Sequence, residues 1–341
     1  MSNLNSETVT LSQAKALVKT LASEQSLLLL SPPGIGKSET VAQAAEEAGL
    51  PLRSLLGTQI APEDVSGIPR IVGERSVFCP PRILLPEKPE PFCLFLDELP
   101  ATSPDIQKAF YSLLLERRLG EHFLPEGTWV VAAGNRMEDR ALVRAMSSAL
   151  VNRVCLLNVR VDNKEWLTWG RENGVRPEVL SFILYMPEAL MRPVPKAPVP
   201  FSTPRSWTLL SRALDRVERS GELGPGVLRA LAFGRVSAED AAIFCAVAVN
   251  QIGELRPIKE YLNDPSLLPQ KDSARWFVFS RMRDLLRRGE FPEVSEQRLN
   301  AFLMSLPQEH RFSLFVDLVH AWGRLGADQA MLDSLLELTG I

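Results

Sequence analysis

Residues 31–38 read SPPGIGKS, a set of residue types suited to holding a phosphate group. Glycines let backbone N–H groups approach phosphate oxygens, a lysine such as Lys37 contacts the β- and γ-phosphates, and a hydroxyl such as that of Ser38 binds magnesium. Gly36, Lys37 and Ser38 match three of the four fixed consensus positions, and Ser31 stands where the first glycine should be. A strand-to-helix turn that uses glycine only for its shape would look similar. The stretch predicts a phosphate loop that needs support from elsewhere in the chain.

The two ends of this loop are expected to matter unequally. Gly36 lies beside Lys37, where the backbone must approach the anion most closely, whereas Ser31 leaves the strand before the phosphates are reached. We therefore expect Ser31→Gly to change nucleotide affinity little and Gly36→Ala to abolish binding. The candidate nucleotide-binding residues are Pro33, Gly34, Ile35, Gly36, Lys37, Ser38 and Glu39.

A pair of acids follows a second buried strand. Residues 92–96 are apolar throughout and lead directly into Asp97 and Glu98. A magnesium-phosphate site needs a carboxylate ligand, and hydrolysis needs a base that orients water. Open α/β sheets bind ligands at the carboxyl ends of their strands, where these acids fall. A solvated turn is the alternative, but the upstream phosphate loop favours Ser38 and Asp97 as metal ligands and Glu98 as the base.

Five short segments predict the strands that position these residues: 26–30, 52–56, 92–96, 129–133 and 155–161. Helical patterns alternate with them, as where Ser103 caps a helix that begins at Pro104. This alternation predicts an α/β fold with an open, mostly parallel sheet. Residues 59–91 contain seven prolines and predict a loop with a small hairpin around Gly73. From Asp162 onward, helical patterns dominate.

Length and composition set broad limits. The 341 residues favour two or three domains, and the net charge of -3 gives no global attraction to nucleic acid, although a local basic patch is not excluded. The four cysteines include no CxxC pair, which argues against a structural zinc site or a disulfide framework. The first residues lack a secretory pattern, and the longest apolar run, 241–249, is too short to span a bilayer. We expect a cytoplasmic protein without a membrane span.

The order of five motifs, SPPGIGKS, LFLDE, VVAAGN, ALVNR and TPRSW, resembles that of AAA+ ATPases. More narrowly, it resembles the MoxR-like branch, which includes the CbbQ and NorQ types. The resemblance covers about residues 10–215 and implies ATP and Mg²⁺ as cofactors. It implies that Lys37 and Ser38 serve Walker A, that Asp97 holds magnesium through Walker B, and that Glu98 polarises the attacking water.

The same resemblance assigns three further residues. Asn135 would be sensor 1 near the γ-phosphate, although Gly-Asn is also a plain turn signal. Arg153 would be the arginine finger that reaches the neighbouring subunit's site, with Arg140 and Arg144 as competitors and a helix-terminal surface charge as the alternative. Arg205 would be sensor 2 of the lid. A cation at a helix start opposes the helix dipole, which is easier to understand if the side chain reaches an anion.

The resemblance also implies an organisation and a function. A five-stranded, mostly parallel P-loop sheet would occupy residues 1–161, an all-α lid 162–218, and a C-terminal helical region 219–341. An arginine finger supplied in trans implies a ring, a hexamer by resemblance. The ring would couple ATP hydrolysis to chaperone-like remodelling or maturation of a partner complex, often with a von Willebrand factor A domain protein.

Two insertions are typical of that branch. Residues 59–91 could hold the first, with Ile71, Val72 and Phe78 either contacting substrate or packing on the sheet. The second is a hairpin before sensor 1, for which residues 117–127 are a short segment.

Two other functions compete with the remodelling ATPase. A nucleotide-gated switch or loader-like adaptor on nucleic acid, with slow turnover, would use the basic residues of 271–288, which otherwise form a solvated helix face. A GTPase is disfavoured because Asn163-Lys164-Glu165-Trp166 is the nearest approach to the guanine-reading Asn-Lys-x-Asp.

Overall fold

The computed structural model of the chain describes residues 7–88, 90–136, 139, 146–249, 256–270, 274–275, 278–279, 281–282, 285–286, 291–306, 311 and 314. The chain divides into two units. The first contains residues 1–169 and 191–209, and the second contains residues 170–190 and 210–341. The three-part division at 161 and 218 remains a prediction from the sequence.

Ten strands occur in the described part of the chain. They are β1 (Thr8–Val9), β2 (Leu27–Leu30), β3 (Leu52–Leu56), β4 (Ile68–Val72), β5 (Arg75–Cys79), β6 (Cys93–Asp97), β7 (Arg118–Leu119), β8 (His122–Phe123), β9 (Trp129–Gly134) and β10 (Cys155–Val159). Six of them form one sheet in the order β1-β10-β2-β9-β6-β3, and every neighbouring pair is parallel. The predicted parallel α/β sheet is confirmed.

The sheet has six strands where five were expected. The additional strand, β1, has two residues and pairs at the edge with Asn158 and Val159. Two residues are too few to give an apolar run or an alternating pattern, so the sequence offered no signal for it. The five predicted strands are all present, with ends displaced by no more than a residue or two.

Thirteen helices are described. They are α1 (Leu11–Leu21), α2 (Lys37–Glu47), α3 (Pro62–Ser66), α4 (Pro104–Ala109), α5 (Tyr111–Glu116), α6 (Ser148–Val151), α7 (Asn163–Glu172), α8 (Pro177–Tyr185), α9 (Pro204–Arg219), α10 (Pro225–Phe233), α11 (Ala238–Val249), α12 (Ile258–Asn263) and α13 (Glu296–Ser305). Local chemistry sets their starts. Thr10 and Gln13 form a reciprocal capping box before α1, and Ser103 caps α4, which begins with Pro104.

The central strands β2, β6 and β9 are covered on both faces of the sheet, which explains their apolar sequences. Successive residues of β2 point to opposite sides: Leu28 and Leu30 join a core that contains Phe110 and Leu113. Leu27 and Leu29 join the core on the other face, built with α1 and α2. The carboxyl ends of β2, β6 and β9 are thereby held side by side, because these strands are adjacent and parallel.

Two antiparallel hairpins stand apart from the main sheet. The β4–β5 hairpin turns at Gly73, as predicted, and its apolar side chains are exposed, Ile71 to 80% and Ile68 to 71%. The β7–β8 hairpin exists although its segment is short, and Phe123 on it is 70% exposed. His122 Nε2 lies 3.2 Å from the carbonyl oxygen of Phe78, which links the two hairpins.

The second unit has a core of helices with an arginine network. The Arg176 guanidinium forms ion pairs with Glu178, Asp215 and Glu218. Its hydrogen bonds to Glu218 and Glu178 raise the pKa of Arg176. Arg281 pairs with Glu188 at 2.5 Å. Lys271, Arg283, Arg287 and Arg288 of the predicted basic surface lie outside the described residues. Among the described helices, none is long and apolar enough to cross a membrane.

Candidate nucleotide site

The loop between β2 and α2 has the backbone conformation that a phosphate cradle requires. Gly34 has φ of 80° and Gly36 has φ of 115°, values that residues with a side chain rarely adopt. Gly36 is the N-cap of α2, so the positive end of the helix dipole opens into the loop. Ile35 points the other way and is buried in the core beneath the loop.

Lys37 lies within this loop and is only 7% exposed. Its Nζ donates to Ser31 Oγ at 2.8 Å, and it lies 3.4 Å from the carbonyl oxygens of Ser31 and Pro32 and from Asn135 Oδ1. Burial lowers the pKa of Lys37 to about 8, although the nearby Asp97 carboxylate acts to raise it. A buried ammonium of this kind would be stabilised by an anion, since an opposite charge favours the protonated form.

Ser38, on α2, is hydrogen-bonded to Asp97, at the carboxyl end of β6. Ser38 Oγ donates to Asp97 Oδ2 at 2.9 Å, and the backbone N–H of Glu98 donates to Asp97 Oδ1 at 3.0 Å. A hydroxyl and a carboxylate are hard oxygen donors of the kind that bind Mg²⁺ together with phosphate oxygens. The donor set fits the predicted metal site.

Glu98 has a partner that the sequence did not reveal. Its backbone is in the left-handed region, with φ of 57°, and its Oε2 accepts a hydrogen bond from Thr58 Oγ1 at 3.0 Å. A non-glycine residue in this region is strained, and such strain concentrates at functional sites. Thr58 follows β3, whose Leu56 pairs with Asp97, so strand register is the signal that could have placed Thr58 near the acids.

Asn135 joins the loop from the end of β9. Its Oδ1 faces Lys37 Nζ, and the preceding Gly134 packs so closely that a Cβ there would lie 2.2 Å from Pro100 Cδ. The next residue, Arg136, forms a two-point ion pair with the buried Asp139. The charges of Arg136 and Asp139 both act on the pKa of Lys37, in opposite directions. Neither residue was singled out from the sequence.

The segment before α9 also contacts the loop. The backbone N–H of Arg205 donates to the Gly34 carbonyl at 2.9 Å, and a Cβ on Gly34 would lie 2.7 Å from Thr203 Oγ1. The Arg205 side chain is exposed, and its charge contributes to the lowered pKa of Lys37. The structure therefore brings Arg205 to the same site as Lys37, Ser38, Asp97, Glu98 and Asn135.

Arg153 has a different environment. Its Nη1 donates to the Ala149 carbonyl at 2.7 Å, its guanidinium lies 4.9 Å from the centre of the Tyr111 ring, and its buried Nε has no hydrogen-bond partner among the described residues. These contacts do not include the loop residues. Its competitors Arg140 and Arg144 lie outside the described residues.

Two of the remaining predicted binding residues offer an anion little through their side chains. Glu39 is exposed and accepts a hydrogen bond from Gln43 at 3.1 Å, so only its backbone N–H is available to an anion in the loop. Pro33 is half-buried and has no backbone N–H to donate.

The geometry agrees with a match to a known family. Residues 26–154 match the family model described as AAA domain (dynein-related subfamily). This stretch is similar to AAA domains. It contains the phosphate loop, the acid pair, Asn135 and Arg153, and it ends before Arg205.

Comparisons over the whole chain are more distant. The Thermotoga maritima RuvB Holliday junction branch migration motor is 15% identical with a TM-score of 0.41, covering 86% of this chain and 80% of that one. A variant of the same motor gives 15% identity and a TM-score of 0.42 over the same shares of the two chains. These likenesses carry no information on what this chain acts on. A comparison with curated proteins finds no match.

Proposed function

We propose that the AAA domain binds ATP with Mg²⁺ and hydrolyses it. One observation carries this proposal. A buried lysine, a hydroxyl–carboxylate pair and a strained glutamate lie together at the carboxyl ends of the strands of a parallel sheet. Lys37 would contact the β- and γ-phosphates, and Asn135 and Arg205 would contact the γ-phosphate. Ser38 and Asp97 would hold Mg²⁺, which when bound neutralises phosphate charge.

Glu98 is proposed as the residue that orients the attacking water. For this its carboxylate must leave the hydroxyl of Thr58, which holds it at 3.0 Å in this structure. A net contribution of about 0.5–1.5 kcal/mol for such a hydrogen bond is small enough to be reversed within a catalytic cycle. Thr58 would thus restrain the base until a substrate competes for it.

We further propose that the active unit is a ring, a hexamer, in which Arg153 acts in the neighbouring subunit's site. The buried Nε of Arg153, which has no hydrogen-bond partner among the described residues, supports a role toward a group outside them. Because such an arginine contributes about 10³- to 10⁵-fold in rate, an isolated protomer should be nearly inactive.

The work done by hydrolysis is proposed to be remodelling or maturation of a partner protein complex, as in the MoxR-like branch, with a von Willebrand factor A domain protein as the expected kind of partner. The exposed apolar residues of the β4–β5 hairpin, including Ile71 and Phe78, are suited to touching a protein substrate.

The first test is ATP turnover as a function of protein concentration. We expect turnover per protomer to rise with concentration, and we expect Lys37→Ala and Glu98→Gln to abolish it. Glu98→Gln should still bind ATP. Lys108→Ala and Glu24→Gln, which alter exposed residues, are matched controls. Wild-type turnover in Lys37→Ala or Glu98→Gln would refute the proposal.

Mixing variants tests the ring. Arg153→Ala and Lys37→Ala should each be inactive alone, whereas a mixture should regain turnover because each supplies the residue that the other lacks. No recovery on mixing would argue against a shared site. Slow turnover with salt-dependent DNA binding would instead favour a nucleotide-gated switch on nucleic acid.

A further inference from the structure

Ser31 occupies the position where the loop consensus has glycine, and its side chain is fully buried. Its Oγ donates to the Pro32 carbonyl at 2.8 Å and accepts a hydrogen bond from Lys37 Nζ at 2.8 Å. Its backbone N–H donates to the Gly134 carbonyl at 3.3 Å, which continues the pairing of β2 with β9. The hydroxyl is therefore fixed to the sheet and aimed at the lysine.

Among the residues that the structure describes, four oxygens surround the Lys37 ammonium, and the Ser31 hydroxyl is the nearest of them. The other three lie at 3.4 Å, beyond the usual range of about 2.7–3.2 Å for an N–H···O hydrogen bond. With glycine at this position, the buried ammonium would keep only these long contacts. Burying a charged donor without a good acceptor costs free energy. Without the Ser31 hydroxyl, no short contact would fix the position of the Lys37 ammonium.

We propose that Ser31 is a positioning residue for Lys37: its hydroxyl holds the ammonium inside the unliganded loop, ready to receive the phosphates of a nucleoside triphosphate. This inference rests on the proposed nucleotide binding. It replaces the expectation that Ser31 lies too early in the loop to affect affinity. Once phosphates contact Lys37, the anion itself holds the ammonium, so Ser31 acts on binding and little on the hydrolytic step.

The test compares nucleotide affinity in full-length variants, with a fluorescent ATP analogue and Mg²⁺ as the probe. Ser31→Gly and Ser31→Ala only remove atoms and should raise the Kd roughly tenfold, because binding must then order an ammonium that the hydroxyl no longer holds in place. The kcat at saturating ATP should change by less than about threefold, since the phosphates then hold Lys37. Ser31→Thr keeps the hydroxyl and should bind like the wild type.

Ser26→Ala is the matched control. Ser26 stands at the opposite end of the same strand, is 1% exposed and donates to the Leu114 carbonyl at 2.6 Å. Its loss should lower the Tm about as much as the loss of the Ser31 hydroxyl while leaving the Kd unchanged. An equal rise in Kd in Ser26→Ala would reduce the effect to general destabilisation and overturn the inference.

The remaining outcomes separate this inference from the proposed function. If the wild type binds the analogue and Ser31→Gly binds it equally well, the inference fails and the nucleotide site stands. A fall in kcat at unchanged Kd would also overturn it. If the wild type does not bind the analogue, the proposed function fails, and this inference fails with it.

Discussion

The buried position of Lys37 should make the proposed nucleotide binding depend on pH above neutrality. Burial lowers the pKa of this side chain from 10.5 to about 8, and the charge of Arg205 adds to the effect. The difference corresponds to about 3 kcal/mol against the charged form in the unliganded site. Only the ammonium attracts phosphate, so the Kd for ATP should be constant below about pH 7.5 and rise roughly tenfold per pH unit above pH 8.

Calorimetric titration with Mg²⁺-ATP measures both this slope and the protons taken up on binding. At about pH 9, binding should be accompanied by uptake of about 0.9 proton per site, seen as a dependence of the heat on the buffer. Lys37→Arg is the control, because a guanidinium stays charged throughout this range. Lys37→Arg can bind ATP with lower affinity, but its Kd should not vary with pH. A flat profile in the wild type, or the same slope in Lys37→Arg, would refute the reasoning.

The same pKa has a second consequence for folding. In the unfolded chain Lys37 keeps its proton up to its ordinary pKa of 10.5, whereas in the folded protein it loses the proton near pH 8. Between these two values the unfolded state binds more protons, so the wild type gains stability relative to Lys37→Met as the pH rises, by up to about 3 kcal/mol. Urea denaturation of both proteins across this range gives the difference, and a gain below pH 8 would contradict the assignment.

Three further substitutions test other contacts of the site. Thr58→Val removes the hydroxyl that donates to Glu98 and should raise basal ATP turnover about threefold at unchanged ATP affinity, whereas Thr58→Ser should match the wild type; unchanged turnover in Thr58→Val would count against the restraint. Gly134→Ala places a methyl group 2.2 Å from Pro100 Cδ and should lower the free energy of unfolding, measured with urea, by about 1–3 kcal/mol. Gly36→Ala, at φ of 115°, should abolish binding of a fluorescent ATP analogue while circular dichroism stays native, and retained binding would contradict the strain argument.

The strands and the acid pair could be predicted because their signals are local. Each central strand is a short apolar run covered on both faces, and Asp97 and Glu98 follow such a run directly. A parallel sheet then brings the ends of β2, β6 and β9 together, whatever the lengths of the segments between them. Strand β1 was not predicted because two residues carry no pattern. The strands of the β7–β8 hairpin are equally short, so the sequence contains no clear signal for them.

The parts of the site that could not be predicted depend on backbone geometry that only the folded chain defines. Thr58 reaches Glu98 because β3 and β6 pair in one register and because Glu98 takes a left-handed conformation, and neither fact is written in a motif. The Arg136–Asp139 pair likewise joins two side chains whose contact no motif specifies.

The contacts of Ser31 in the folded chain could not be read from its place in the sequence. In the sequence it is a departure from the consensus glycine, placed six residues before Lys37. In the fold the loop curls back, so that the end of β2 lies beneath the lysine and the Ser31 hydroxyl becomes its shortest contact. The motif alone gives Ser31 no role, whereas in the fold its hydroxyl contacts the ammonium that is proposed to bind phosphate. Gly34 is a similar case, because its carbonyl accepts a hydrogen bond from the backbone N–H of Arg205, a residue about 170 positions away along the chain.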